Sequence, residues 1–266
     1  VASRAAYYGR LLAVQARASI VTSMQYRADF IVQGAMSLYW LGWNLLPLFV
    51  LYQDRDAVAG WSFGGALVVM GWFVVVRGIL EGAISPSLAA VIDQIRSGSF
   101  DYTLLRPADA QFLVSTARFQ PWRLLDVLGG FGLLIYALVQ VGHAPSAAQL
   151  GAACLLLLAG LTVMYSLWIV IVATAFWVVR MDNLIYLLGS IFDAARWPAQ
   201  IFRGAFRVIF TFVIPLAVMT TYPAMALLGT LTLRAGLGCL GGAALLAVVA
   251  RLVWRLALRS YTSASS

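Results

Sequence analysis

"IRSGSFDYTLLRPADAQF", residues 95–112, interrupts a chain that is apolar on both sides of it. The stretch carries two arginines, two aspartates, a Ser97-Gly98-Ser99 turn and Pro107. It is the middle of a polar-leaning region, residues 85–122, set between two hydrophobic blocks. Ser85-Pro86 reads as a helix start, with serine as N-cap and proline in the first turn. Leu88, Val91, Ile92 and Ile95 then share one apolar face. Ser97-Gly98-Ser99 stops that helix. Pro107 breaks the next segment, and Asp109 can cap a further helix carrying Phe112, Thr116 and Phe119. Asp101, a short carboxylate after the Gly98 turn, is expected to hold the bend by accepting backbone N–H groups. A plain linker does not need such patterning. The region reads as an ordered helical elbow shaped to touch another protein.

The surroundings place this elbow beside a membrane. Of 266 residues, 62% are hydrophobic and 11% charged, against about 25% charged in soluble domains. A bilayer-crossing helix needs about 20 mostly apolar residues. Spans are expected at Phe30 to Leu51, Phe63 to Ile84, Leu124 to Val141, Leu150 to Val178 and Ala235 to Trp254. Residues 182–233 are less regular, with Pro198, Pro215 and Pro223 and with Arg196, Arg203 and Arg207. Two readings stay open there. In one, 183–202 is a span and 205–228 a proline-broken re-entrant hairpin, which membranes tolerate where protein surrounds it. In the other, 183–202 lies on the cytosolic side and 205–228 is the fifth span. Either gives an all-α protein with six transmembrane helices in a single permease domain over 1–266.

The arginines orient it. All 18 basic residues are arginine, and the net charge is +8. Such an excess in a membrane chain points to basic cytosolic loops and not to nucleic acid. Twelve of the 18 fall on one side if both termini share that side, among them Arg4, Arg10, Arg17, Arg106, Arg118, Arg251 and Arg259. Both termini and the elbow are therefore expected in the cytosol, and the arginine-rich composition suits a GC-rich bacterial genome. Residues 1–28 read as an interfacial helix: Tyr7, Leu11, Val14, Ala18 and Val21 make a stripe flanked by Arg10 and Arg17. Interrupted by those arginines, the stretch does not read as a secretory signal.

Few residues could carry chemistry. With no lysine, the chain has no G-x-x-x-x-G-K-[ST] phosphate loop, so any ATP must be bound by another subunit. The single histidine, His143, excludes a two-histidine metal site and reads as a solvated loop residue. Cys154 and Cys239 lie in apolar runs and read as packing residues. No catalytic constellation appears. Arg77 and Glu81, four apart in the second span, share a helix face. The pair is either a self-neutralising structural pair or a substrate or gating site. Asp193 with Arg196, and Arg123 with Asp126, are similar local pairs. Gly78 with Gly82 and Gly238 with Gly242 have the small-xxx-small spacing that allows close helix approach.

The elbow sequence resembles the I-x-x-G-x-(L/F)-D-x-x-L-L-x-P pattern of a bacterial branch of type-two ABC exporter permeases, the ABC-2 family transporter proteins. "FTFVIPLAVMTTYPAMALLG", residues 210–229, resembles a second block of that branch. Phe100 stands where leucine is usual. The resemblance implies the membrane subunit of an ATP-driven exporter in the bacterial inner membrane. It implies a homo- or heterodimer of permease chains served by two ATPase subunits that hold ATP and Mg²⁺. It makes residues 85–122 the coupling helix region, with Gly98, Asp101, Leu105, Arg106 and Pro107 as the coupling residues. It also implies a re-entrant hairpin at 203–232, against the arginine count. The alternatives are a structural or assembly subunit of a membrane complex and an ion-coupled carrier.

Overall fold

The computed structural model describes residues 4–25, 27–177, 182–202, 204, 210 and 215–261. It is helical apart from a two-residue hairpin pairing Ala57 with Ser62 and Val58 with Trp61. Ala59 and Gly60 turn that hairpin with positive φ angles of 51° and 83°, the conformation a two-residue primed turn requires.

The helices are α1 (Arg4–Gln25), α2 (Arg27–Tyr52), α3 (Phe63–Ile79), α4 (Ser85–Arg96), α5 (Asp101–Leu104), α6 (Ala110–Ser115), α7 (Leu124–Val141), α8 (Ala147–Thr174), α9 (Asp182–Phe192), α10 (Leu216–Met219), α11 (Thr221–Leu227) and α12 (Leu233–Ser260). Five helical stretches are long and apolar enough to cross a membrane: Arg27–Tyr52, Phe63–Arg96, Pro121–Val141, Ala147–Thr174 and Leu233–Ser260. They fall on the five spans that hydropathy separates cleanly. The sixth expected crossing rests on the 182–233 region, whose residues 203, 205–209 and 211–214 lie outside the described ones. What is described there is short: α9 has 11 residues, and Asp193–Arg196 and Ala199–Ile201 are 3-10 turns around Pro198. α10 and α11 pack on α8, where a side chain on Gly160 would lie 2.8 Å from the Met219 Cα.

One expectation is corrected. Ser85-Pro86 does not start a new helix. α3 runs through a π turn at Leu80–Ile84 directly into α4. Ser85 is itself helical, with φ −60° and ψ −46°. The cause is Pro86. Proline has no N–H to offer the carbonyl four residues back, which is that of Gly82. That oxygen instead accepts from the Gln120 backbone N–H at 2.8 Å. The helix widens to i→i+5 pairing at this point, with Ser85 N–H bonding to the Leu80 carbonyl. Helix continuity survives because the orphaned acceptor finds a donor from the return limb of the elbow.

α3 is the central helix, with every residue from Gly65 to Val76 buried. It meets α7 at backbone distance. A Cβ on Gly71 would come within 3.2 Å of the Gly130 carbonyl, and one on Gly130 within 2.8 Å of the Val75 nitrogen. Gly78 approaches the Val127 nitrogen in the same way, and Gly82 sits against Arg123. Between apolar helices in lipid, association rests on such close van der Waals contact. Within this chain a Cβ on Gly238 or Gly242 would meet open space.

Candidate functional site

The elbow is built at the end of the bundle where α3 leaves and α7 begins. α4 ends at Ser97, whose N–H bonds to the Asp93 carbonyl at 2.9 Å, and Gly98 turns the chain with φ +71°. The turn drives Phe100 inward. Phe100 is fully buried, with ring centroids of Phe176 at 5.4 Å, Tyr261 at 5.4 Å and Trp254 at 6.4 Å, all edge-on. The residue that departs from the leucine pattern is thus the aromatic plug of the elbow. Asp101 is the first residue of α5 and not its cap; Phe100 holds the cap position without a side-chain bond. The Tyr261 hydroxyl lies close to the Asp101 carboxylate outside good hydrogen-bond geometry. Burial first, and that carboxylate second, push the Tyr261 pKa up.

Beyond Asp101 the chain faces outward. Tyr102 is 72% exposed and Leu105 80%, and Leu104, Arg106 and Pro107 are exposed beside them. Of the five expected coupling residues, Leu105, Arg106 and Pro107 form this tip, Gly98 shapes it, and Asp101 sits at its root.

The return limb is tied down by polar contacts. Asp109 caps α6, as its sequence context suggests, accepting from the Phe112 N–H at 3.1 Å. The same carboxylate takes a two-point grip from Arg251 of α12, at 3.2 and 2.5 Å. That grip, before any other cause, holds the Asp109 pKa below the ordinary carboxylate range. Arg251 also donates to Gln111 Oε1 at 2.5 Å, and Gln111 donates to the Tyr165 hydroxyl of α8 at 2.9 Å. Ser115 shares a hydrogen bond with the same hydroxyl at 2.7 Å. Ser87, fully buried, donates to the Arg118 carbonyl at 2.7 Å and accepts from the Arg118 N–H at 3.0 Å.

α1 lies along this limb. The Tyr8 hydroxyl accepts from the Asp109 N–H at 3.1 Å, Gln15 accepts from Thr116 at 2.6 Å, and Ser19 accepts from the Phe119 N–H at 3.1 Å. The docked face is polar and adjoins the stripe read from sequence. Tyr7, Val14, Ala18 and Val21 of that stripe are exposed, and Leu11 is half-buried.

A charged cluster closes the span side of the elbow. Arg77 Nε meets Glu81 Oε1 at 2.8 Å, as the spacing predicts. Arg123 closes on the other oxygen of Glu81 and on Asp126 at 2.9 Å. Arg77 also reaches Asp193 at 3.5 Å, which Arg196 shares at 3.5 Å; Arg196 donates in addition to Asn44 Oδ1 of α2 at 3.0 Å. Both Arg77 and Arg196 stand over the Phe73 ring, at 5.9 and 5.6 Å. Three local pairs in the sequence are one network of three arginines and three acids, beside a cleft of about 510 Å³ lined by Trp168, Tyr186 and Ser190 among others. Among the described residues, no group of three metal-ligating side chains comes together.

Sequence reading missed the pairing of Asp109 with Arg251, 142 residues away. The sequence shows a helix-capping acid in the elbow and Arg251 as the first arginine after the apolar run of α12, but no spacing that joins them.

The long apolar helices and the elbow between two of them are those of a multi-pass membrane protein. The chain belongs to the family described as ABC-2 family transporter protein, whose model matches residues 38–265. Membrane subunits of that family generally pair with a separate ABC ATPase. No curated protein and no solved structure matches the chain.

Proposed function

We propose that this protein is the permease subunit of an ATP-driven exporter and that residues 98–107 are its coupling element. The observation that carries the reading is the tip of the elbow. Tyr102, Leu104 and Leu105 present an apolar surface at the bundle end where the arginines concentrate. Basic residues mark the cytosolic side of a membrane chain, so this surface faces water and not lipid. An exposed apolar patch there is suited to a protein partner. The partner is an ABC ATPase, two copies per complex, which binds ATP and Mg²⁺.

Two permease chains enclose the cargo between them in the bacterial inner membrane, with both termini in the cytosol. α1 lies at the interface, its exposed apolar stripe toward lipid and its arginines toward headgroups. Arg77 and Glu81 act within the charged cluster as a brace between α2, α3, the start of α7 and the 193–196 turn. The test is co-purification. Leu105→Glu should insert normally and no longer co-purify the ATPase. Unchanged yield of the ATPase would refute the assignment of the tip, and absence of any ATPase with the parent protein would favour an ion-coupled carrier.

A further inference from the structure

We propose that the elbow drives the last span, α12, through Asp109 and Arg251 as positioning residues, with Phe100 as the plug that makes the joint rigid. The proposal deepens the export reading and rests on it. The elbow is covalently joined to α3 and α7. Those two helices are in backbone contact at Gly71 and Gly130 and are braced by the charged cluster, so they offer a rigid base. The side-chain grips of the elbow go elsewhere. Phe100 packs against Trp254 and Tyr261 at the end of α12, and against Phe176 just beyond α8. Asp109 and Gln111 both hold Arg251, and Gln111 passes the contact on to Tyr165 in α8.

Arg251 and Trp254, three residues apart, share one face of α12, and Tyr261 follows as its C-cap. The elbow therefore holds α12 at two heights along one stripe. One contact alone would let α12 pivot. Two contacts, one of them a planar two-point guanidinium–carboxylate pair, fix its rotation as well as its distance. A push on the tip at residues 102–107 is delivered to α12, which packs along α8. The elbow also holds α8 through Tyr165, so α8 and α12 are carried as a pair against the α3–α7 base.

The experiment uses the full-length chain purified with its ATPase, with Cys154→Ser and Cys239→Ala as background. Nitroxide labels at Leu128 of α7 and Leu252 of α12, both exposed, report their separation by pulsed electron resonance. The separation is read without nucleotide and after trapping with MgATP and vanadate. Asp109→Asn keeps a capping side chain for α6 but removes the charge, and Arg251→Met removes the grip while keeping apolar bulk.

Trapping is expected to shift the Leu128–Leu252 separation in the parent complex. Either variant should lose most of that shift while still binding the ATPase and hydrolysing ATP. The double variant should be no worse than either single one, and Arg251→Lys should restore part of the shift. A merely structural pair would lower the thermal midpoint and leave the shift intact, and that outcome overturns the proposal while the export reading stands. A parent complex that binds the ATPase without any movement of α12 overturns it equally. Failure of the parent chain to bind an ATPase overturns the export reading and the proposal together.

Discussion

Arg123, at the foot of the elbow's return limb, closes on the same Glu81 carboxylate that Arg77 holds from within α3. One acid thus joins two arginines from different elements, and the network around it sums to zero charge. Removing Glu81 leaves a net positive cluster. Removing Arg77 leaves a net negative one. Removing both restores neutrality. Glu81→Ala and Arg77→Ala should each lower stability by about 1–3 kcal/mol, less than the loss from breaking a fully buried pair because these side chains keep some solvent contact. The double variant should be more stable than the sum of the two losses. Thermal unfolding of the detergent-solubilised protein checks this, and strict additivity would show that the residues act separately.

Pro86→Ala restores an N–H four residues after Gly82. That donor competes with Gln120 for the Gly82 carbonyl, and the π turn should relax toward regular α-helix. The Gln120 amide is expected to exchange with deuterium faster in the variant than in the parent. Unchanged protection would mean that something other than the missing proline donor holds the π turn.

Phe100→Ala should free the elbow. Truncating a buried phenylalanine costs about 3–5 kcal/mol where the cavity cannot collapse. Here the loss is local, so trypsin should cut after Arg96 much faster while the spans remain inserted. Phe100→Leu, the commoner residue of the resembling pattern, should cost less than about 1.5 kcal/mol and leave the cleavage rate near that of the parent.

Acid should test the Asp109–Arg251 pair. The folded pKa of Asp109 lies below its unfolded value, so its stabilisation is fully present above the unfolded value near 4 and is lost as pH falls through the folded one. The pair should therefore persist across pH 5–8. The difference in thermal midpoint between the parent and Asp109→Asn should be constant over that range and shrink below about pH 4. A difference that changes between pH 5 and 8 would assign the titration to another group.

Both termini and the elbow are expected on the cytosolic side. In a cysteine-free background, Arg17→Cys on the exposed face of α1 should react with a membrane-impermeant thiol reagent only after cells are broken. Gln53→Cys, just past α2, should react in intact cells. The reverse pattern would invert the topology.

The spans were legible because about 20 apolar residues in a row have one physical meaning. The capping of α6 by Asp109 and the turn at Gly98 were legible because both are local backbone requirements. Pro86 misled for the same reason. Local rules see its missing N–H but not the Gln120 donor that compensates from the return limb. The three charged pairs were visible singly through i+3 and i+4 spacing, while their union depends on how α3, α7 and the 193–196 turn pack. Asp101 was read as a cap from its place after the glycine turn; the buried Phe100 plug shifts the helix start by one residue. The Asp109–Arg251 pair joins an elbow to a span far along the chain, and no local pattern encodes it.

The bonds of Gly82 with Gln120 and of Ser87 with Arg118 tie the two feet of the elbow together. The chain from 88 to 117 is a detour across the end of the bundle that returns to almost the same place. Such a detour can be lengthened at its outer end without altering the register of any span. Exchanging residues 102–107 would change the exposed tip alone, as a bayonet mount accepts a new lens while the camera body stays the same.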